Sequence, residues 1–272
     1  MKVALCFSGG IRNLEDNYKS IKHCLIDPLN ADVFIHGWYF KVNELNNIHK
    51  MYKKKETEQN KVLILLKPKK YKFENYDINK ENEMINHFDI TKIKEKYKNN
   101  SNLCQLYPNT CGMFYSIYQS NKLKKEYEKE NNFTYDIVIR CRPDFEYYTP
   151  LNYQVLQLVK ENNILLPLDN YAFVTQQCDK FAIGTSKTMD NYSDLILYIL
   201  KYEKKYPNDF WDGPNILNKH LFIKNIKTTW IYFDYEYNIR RKSQRLTNDK
   251  RIKIDYDKKT LLIIKPNTYN KV

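Results

Sequence analysis

Nowhere in the sequence does an uncharged apolar run approach the roughly 18 residues that a membrane-spanning helix requires. Glycine is scarce, at 6 of 272 residues, which excludes collagen-like, mucin-like and Gly/Ser-linker chains. The 6 cysteines form no CxxC pair, and Cys6, Cys141 and Cys178 sit in apolar runs as ordinary core residues do. The pair Cys104 and Cys111 could bridge only in an oxidising compartment. The opening "MKVALCFSGG" has one lysine and an apolar run too short for a signal peptide, so it reads as a buried strand. A cytoplasmic protein is expected. There is no G-x-x-x-x-G-K-[ST] loop, and no G-x-G-x-x-G follows the first strand. This disfavours a P-loop kinase and a dinucleotide-binding Rossmann site. No internal repeat and no linker divides the chain.

What is abundant is charge and tyrosine. Lys and Arg total 45 against 32 Asp and Glu, for a net charge of +13, and there are 24 tyrosines. A basic surface fits nucleic acid, an anionic surface or anionic substrates. Here Lys, Asn, Ile and Tyr rise together, as codons rich in A and T would make them, and the lysines spread over helix faces. Nucleic-acid binding is therefore disfavoured.

The apolar pattern predicts an α/β chain. "KVALCFS" (2–8), "ADVFIHGW" (31–38), "KVLILLK" (61–67), "DIVIRC" (136–141), "NILLPL" (163–168) and "CDKFAIGTS" (178–186) read as strands. Helices are expected over 14–24, 112–132, 187–206 and 213–225, with another near 89–98 in an irregular stretch, 68–108. Residues 227–241 read as an extended aromatic segment, and "TLLIIK" (260–265) as the ordered part of a basic tail. Strand, helix and strand with short links imply parallel pairing.

Two strand tips carry the chemistry. In "CFSGGIRN", Gly9 and Gly10 permit a tight turn at the end of a parallel strand, where open α/β sheets hold ligands. Arg12 then stands at a helix start, where a cation gains nothing from the helix dipole and is better explained by an anion. In "YDIVIRCRPDFEY", period two puts Arg140 and Arg142 on one side of a strand, Pro143 breaks it, and Asp144 and Glu146 follow. Those carboxylates could hold one divalent cation that bridges two phosphates, or form a structural network with the arginines.

The order of four blocks resembles the GT-A-type glycosyltransferases, and more closely the glycosyltransferase-like proteins of bacteria and large viruses. The blocks are the "CFSG" strand with its arginine at 6–12, "ADVFIHGW" at 31–38, "YSIYQSNKL" with "YDIVIRCRPD" at 115–123 and 135–144, and "DKFAIGTSKTMDNYSDL" at 179–195. The resemblance covers residues 1–225. It implies a GT-A-like α/β fold, Rossmann-like, with a mostly parallel central sheet flanked by helices. Residues 1–148 would be the nucleotide-sugar-binding half, 149–243 the smaller acceptor-binding half and 244–272 a basic tail.

The activity implied is transfer of a sugar from a nucleotide-diphosphate sugar to a hydroxyl of a carbohydrate acceptor. Ser8, Gly9, Gly10, Arg12, His36, Trp38, Arg140 and Arg142 would hold the donor. Asp144-Phe145-Glu146 would stand for the Asp-x-Asp motif, with Mn²⁺ or Mg²⁺ on Asp144 and Glu146; the flanking arginines leave open a diphosphate site without metal. Asp212 or Asp179 would deprotonate the acceptor. Several residues keep a second meaning: His36 as a satisfied core histidine, Trp38 as core edge, Asp212 as a helix N-cap, and Ser116, Gln119 and Ser120 as helix packing. Arg240, Arg241 and Arg245 would fold over the diphosphate, bind an anionic acceptor or touch a membrane surface, or stay solvated. "FSGGIRN" is also similar to the Ser-Gly-Gly loop of ATP pyrophosphatases, but that family places an aspartate and a serine where Arg12 and Asn13 stand. A nucleic-acid- or sugar-binding module without catalysis is a further alternative.

Overall fold

The structure, a computed structural model, describes residues 1–40, 56–87, 95, 101–167, 178–206, 213–231, 233 and 235–237. In chain order the elements are β1 (Val3–Gly10), α1 (Leu14–Ile21), β2 (Asp32–Phe40), α2 (Gln59–Leu66), β3 (Lys70–Tyr76), α3 (Ile78–His87) and α4 (Ser101–Glu130). There follow β4 (Ile137–Cys141), β5 (Phe145–Tyr147), α5 (Tyr153–Leu156), β6 (Asn163–Pro167), β7 (Ala182–Gly184), α6 (Ser186–Ser193), α7 (Ile199–Lys205), α8 (Gly213–Ile223), β8 (Lys227–Ile231) and β9 (Tyr235–Tyr237).

Seven strands form one sheet in the order β3-β2-β1-β4-β7-β6-β8, and β5 and β9 form a second, two-stranded one. Every pairing in the large sheet is parallel except those of β7, which runs against both β4 and β6. The α/β, mostly parallel architecture is the one the strand–helix alternation predicts. The sheet is continuous across residue 148, since β6, β7 and β8 extend it beyond β4.

The sequence of β1 explains its central place. Val3, Leu5 and Phe7 point to one face, Ala4, Cys6 and Ser8 to the other, and all six are buried, as a strand covered on both faces requires. The first face packs with Ile11, Leu14 and Ile21 around α1, with Val62 and Leu66 of α2, and with Phe145 and Tyr147. The second packs with Phe114 and Ile117 of α4, Met189 and Tyr192 of α6, and Ile216 and Leu217 of α8.

The run "KVLILLK", expected as a strand, is the helix α2, and the third strand is instead "KYKFENY" in the stretch expected to be irregular. A short apolar run satisfies either period. Burial decides it: Val62 and Leu66, four apart, face the core, while Ile64 between them is 67% exposed. Parallel pairing of β2 with β3 also requires a crossover, which α2 supplies. β3 lies at the sheet edge, where its lysines blunt an open ladder.

The helix expected over 112–132 starts earlier, at Ser101. That over 187–206 is divided by a 3-10 turn, Asp194–Tyr198, and begins at a Thr185 cap whose hydroxyl accepts from the Thr188 N–H. Of the segment 227–241, the described residues include β8 and β9, and β9 returns to pair with β5. The helix near 89–98 falls almost wholly outside the described residues, as do "TLLIIK", Arg240, Arg241 and Arg245. No helix among the described residues is long and apolar enough to cross a membrane.

Gly37 of β2 tests the close packing between sheet and glycine turn. A Cβ there would stand 2.5 Å from Ile11 Cγ1 and 2.9 Å from Phe73 Cδ1. Gly37→Ala should cost about 1–3 kcal/mol. The expected result in urea unfolding is a lower midpoint at unchanged slope; an unchanged midpoint would mean that Ile11 yields freely.

Candidate functional site

The C-terminal ends of β1, β2 and β4 and the start of the reversed β7 meet at one end of the sheet. Register aligns Ser8 with His36, Gly10 with Trp38, Cys6 with Arg140, and Arg140 with Ala182. The turn leaving β1 needs its glycines for two different reasons. Gly9 has φ 127°, a conformation that side chains resist. Gly10 has no room, since a Cβ would meet Phe40 Cε2 at 2.7 Å and Arg12 Nε at 2.9 Å. The turn is then tied down. Gly9 N–H donates to Ser116 Oγ (2.9 Å), Ile11 N–H to the Trp38 carbonyl (3.2 Å) and Thr57 N–H to the Ile11 carbonyl (3.1 Å).

This geometry delivers Arg12 to Asp144. Arg12 Nη2 donates to Asp144 Oδ2 at 3.1 Å, across 132 residues of sequence. Arg142 grips the same carboxylate with both arms of its fork, Nε to Oδ1 and Nη2 to Oδ2, each at 2.8 Å. Asp144 is fully buried. Burial by itself would raise its pKa, but Arg142 and then Arg12 hold it below the usual carboxylate range. Aromatic rings lie by both cations, Phe40 at 5.3 Å from Arg12 and Phe145 at 5.0 Å from Arg142. Two guanidiniums thus converge on one carboxylate. Glu56 is also near: it accepts from the Phe40 N–H (2.6 Å) and forms a backbone bridge with Arg12.

Asp144 and Glu146 do not fit the divalent cation expected of them. Both Asp144 oxygens already serve guanidiniums, whose charge would repel a dication. Glu146 belongs to β5, where its carboxylate accepts from the Tyr148 hydroxyl at 3.2 Å. Among the described residues no three His, Cys, Asp or Glu side chains gather as a metal would need.

His36 and Trp38, expected at the base or ribose, are both buried. His36 Nε2 faces Glu74 Oε2 at 2.9 Å and Nδ1 faces Ser116 Oγ at 2.8 Å. Glu74 accepts only, so Nε2 carries the proton and Nδ1 accepts from the Ser116 hydroxyl. Desolvation lowers the His36 pKa against the pull of Glu74, which keeps the ring neutral. Trp38 donates to the Gly112 carbonyl at 3.1 Å and stacks on Tyr115. The two residues support the turn from below: Ser116, oriented by His36, holds the Gly9 N–H.

Arg140 stands apart from the Asp144 cluster. It points to the α4 face with Val138, is 1% exposed, and its Nε and Nη1 have no hydrogen-bond partner among the described residues. Asp179 lies just ahead of β7, half-buried at the same end of the sheet, with Oδ2 only 2.6 Å from where a Gly213 Cβ would stand. Asp212 lies outside the described residues.

Sequence reading missed Glu74 and Glu56. Glu74 is on the strand that had been taken as irregular. It also meets Lys72 (2.9 Å), Lys80 (3.0 Å) and the Tyr115 hydroxyl (3.2 Å), contacts that no local pattern encodes.

Asp144→Asn would take the shared counterion from the buried Arg12 and the partly buried Arg142, at a cost of about 3–5 kcal/mol. Removing Arg12 as well (Arg12→Met with Asp144→Asn) should cost less than the sum of the single changes in a double-mutant cycle. The pH dependence has a definite sign. Because the folded pKa of Asp144 is depressed, its contribution is complete above the unfolded value near 3.9 and disappears as pH falls through the folded one. Asp144→Asn should therefore flatten the acid limb of a stability–pH curve, and an unchanged limb would remove Asp144 as its cause.

No protein-family model and no curated protein matches this chain, so its function has to be argued from this end of the sheet.

Proposed function

We propose that the chain is a GT-A-type glycosyltransferase that moves a sugar from a nucleotide-diphosphate donor to a hydroxyl of a carbohydrate acceptor. The observation that carries this reading is the meeting of Arg12 and Asp144 at 3.1 Å, beside Arg142 and under a glycine turn. It joins the two strand tips that carry charge, each within one of the four blocks of the resemblance, at the end of a mostly parallel sheet where such folds hold nucleotides. The single sheet running through both halves of the chain supports the GT-A form. Free buried thiols at Cys6, Cys24, Cys111, Cys141 and Cys178 support a cytoplasmic setting.

In this reading Asp144 organises cations instead of ligating metal. It fixes the forks of Arg12 and Arg142, and these oriented guanidiniums would receive the pyrophosphate. During transfer the bond from the anomeric carbon to the diphosphate oxygen breaks, and the acceptor oxygen forms the new bond. The guanidiniums stabilise charge growing on the departing nucleoside diphosphate. The acceptor proton passes to a carboxylate, for which Asp179 stands at the right end of the sheet and Asp212 is the second candidate.

A thermal-shift panel of UDP-, GDP-, dTDP- and CMP-sugars, run with Mn²⁺ and with EDTA, tests this. One nucleoside-diphosphate class should raise Tm, keep most of that shift in EDTA, and lose it in Arg12→Met. A panel without any response, or a response independent of Arg12, would overturn the reading.

A further inference from the structure

A buried guanidinium without a counterion is costly, and folded proteins rarely keep one. Among the described residues Arg140 is such a group. It rises from the middle of the sheet, aligned with Cys6 on one side and Ala182 on the other, and is 1% exposed. Two further polar groups on the same face are equally buried and without a hydrogen-bond partner among the described residues: Ser8 Oγ and the Tyr192 hydroxyl. Ser8 is two residues beyond Cys6 on the neighbouring strand, hence on the same face and nearer the C-terminal end. Tyr192, on α6, packs over that face and feels the charges of both Arg140 and Asp179. Three orphaned donors at one place are what an anion site looks like before its anion arrives.

We infer that Arg140, Ser8 and Tyr192 form a second anion pocket, which takes the carboxylate of an acidic sugar. The charge count favours a monoanion. One guanidinium supplies one positive charge, and Asp179, just ahead of the β7 strand that pairs with Arg140, opposes a dianionic phosphate. A planar fork with two hydroxyls also suits a carboxylate. The pocket is separate from the Arg12–Asp144–Arg142 cluster, whose hydrogen bonds do not include Arg140. The inference rests on the sugar-transfer reading for the word sugar. It narrows that reading to substrates in which the transferred sugar or the acceptor is acidic.

The test compares the full chain with Arg140→Met and Tyr192→Phe by thermal shift. The free probes are glucuronic, galacturonic and N-acetylneuraminic acids against glucose, galactose and N-acetylmannosamine; UDP-glucuronic acid against UDP-glucose is a separate arm. At least one acid should stabilise the parent while its neutral counterpart does not. Response to the free acids points to the acceptor as the acidic partner, and response only to UDP-glucuronic acid points to the donor. Arg140→Met should lose the response, and without ligand it should melt at or above the parent, because an apolar chain replaces an unpaired charge. Tyr192→Phe should weaken the response with little change in the unliganded Tm.

A parent unmoved by every acid, or moved equally by acid and neutral sugar, overturns the pocket. So does an Arg140→Met variant that melts well below the parent, which would make Arg140 a structural residue. Nucleoside-diphosphate binding through Arg12 is read separately, so loss of the pocket and loss of the transferase reading give different results.

Discussion

The Asp144 carboxylate, shared by Arg12 and Arg142, is the constraint from which the rest of this end of the molecule follows. It is fully buried and holds three charge-assisted hydrogen bonds. A carboxylate in that position can exist only if its cations come to it, and they come from different strands. Arg142 is local, two residues before it. Arg12 has to be carried across from β1, and that requires the parallel pairing of β1 with β4 as well as a turn that reverses its direction sharply enough. Glycine at 9 and 10 meets the second need, one through its φ of 127° and the other through lack of room. The ion pair thus couples local backbone geometry to sheet topology.

The layer beneath explains why a neutral histidine and a tryptophan lie buried in the arrangement. Glu74 fixes the tautomer of His36, His36 orients Ser116, and Ser116 receives the Gly9 N–H. Each member comes from a different element: β3, β2, α4 and β1. Glu74 stays ionised although half-buried, because His36, Lys72 and Lys80 outweigh the desolvation that would raise its pKa. A turn held this way is pre-organised for whatever occupies it, since its hydrogen bonds are made before binding.

Much of this was legible in the sequence, for reasons that can be named. β1, β2 and β4 announce themselves because strands buried on both faces read as unbroken apolar runs. Arg12 and Asp144 were visible as charges at strand tips, where a solvated surface is the weaker explanation. Their partnership was not visible, because the sequence gives no distance between strands 132 residues apart. The same blindness turned Asp144 into a metal ligand: "RPDFE" shows two acids at a useful spacing, but not that guanidiniums saturate the first. The α2 run suits either period because its five apolar residues are consecutive, and only the burial of Val62 and Leu66 against the exposure of Ile64 separates the two. Reading that run as a strand hides β3, and with it Glu74.

The reversal of β7 has a consequence for chemistry. In a wholly parallel sheet every strand ends at the ligand-bearing side, and acids must be supplied by loops that follow strands. A reversed strand begins there instead, so the residues before it arrive at that end of the sheet. This brings Asp179 to the end of the sheet that carries Arg140. Cations on β1 and β4 and an acid ahead of β7 therefore share one edge without neutralising each other: Arg12 and Arg142 are committed to Asp144, Arg140 is not, and Asp179 packs against the start of α8. Keeping opposite charges close but unpaired costs stability, and that cost makes sense where a polar substrate separates them.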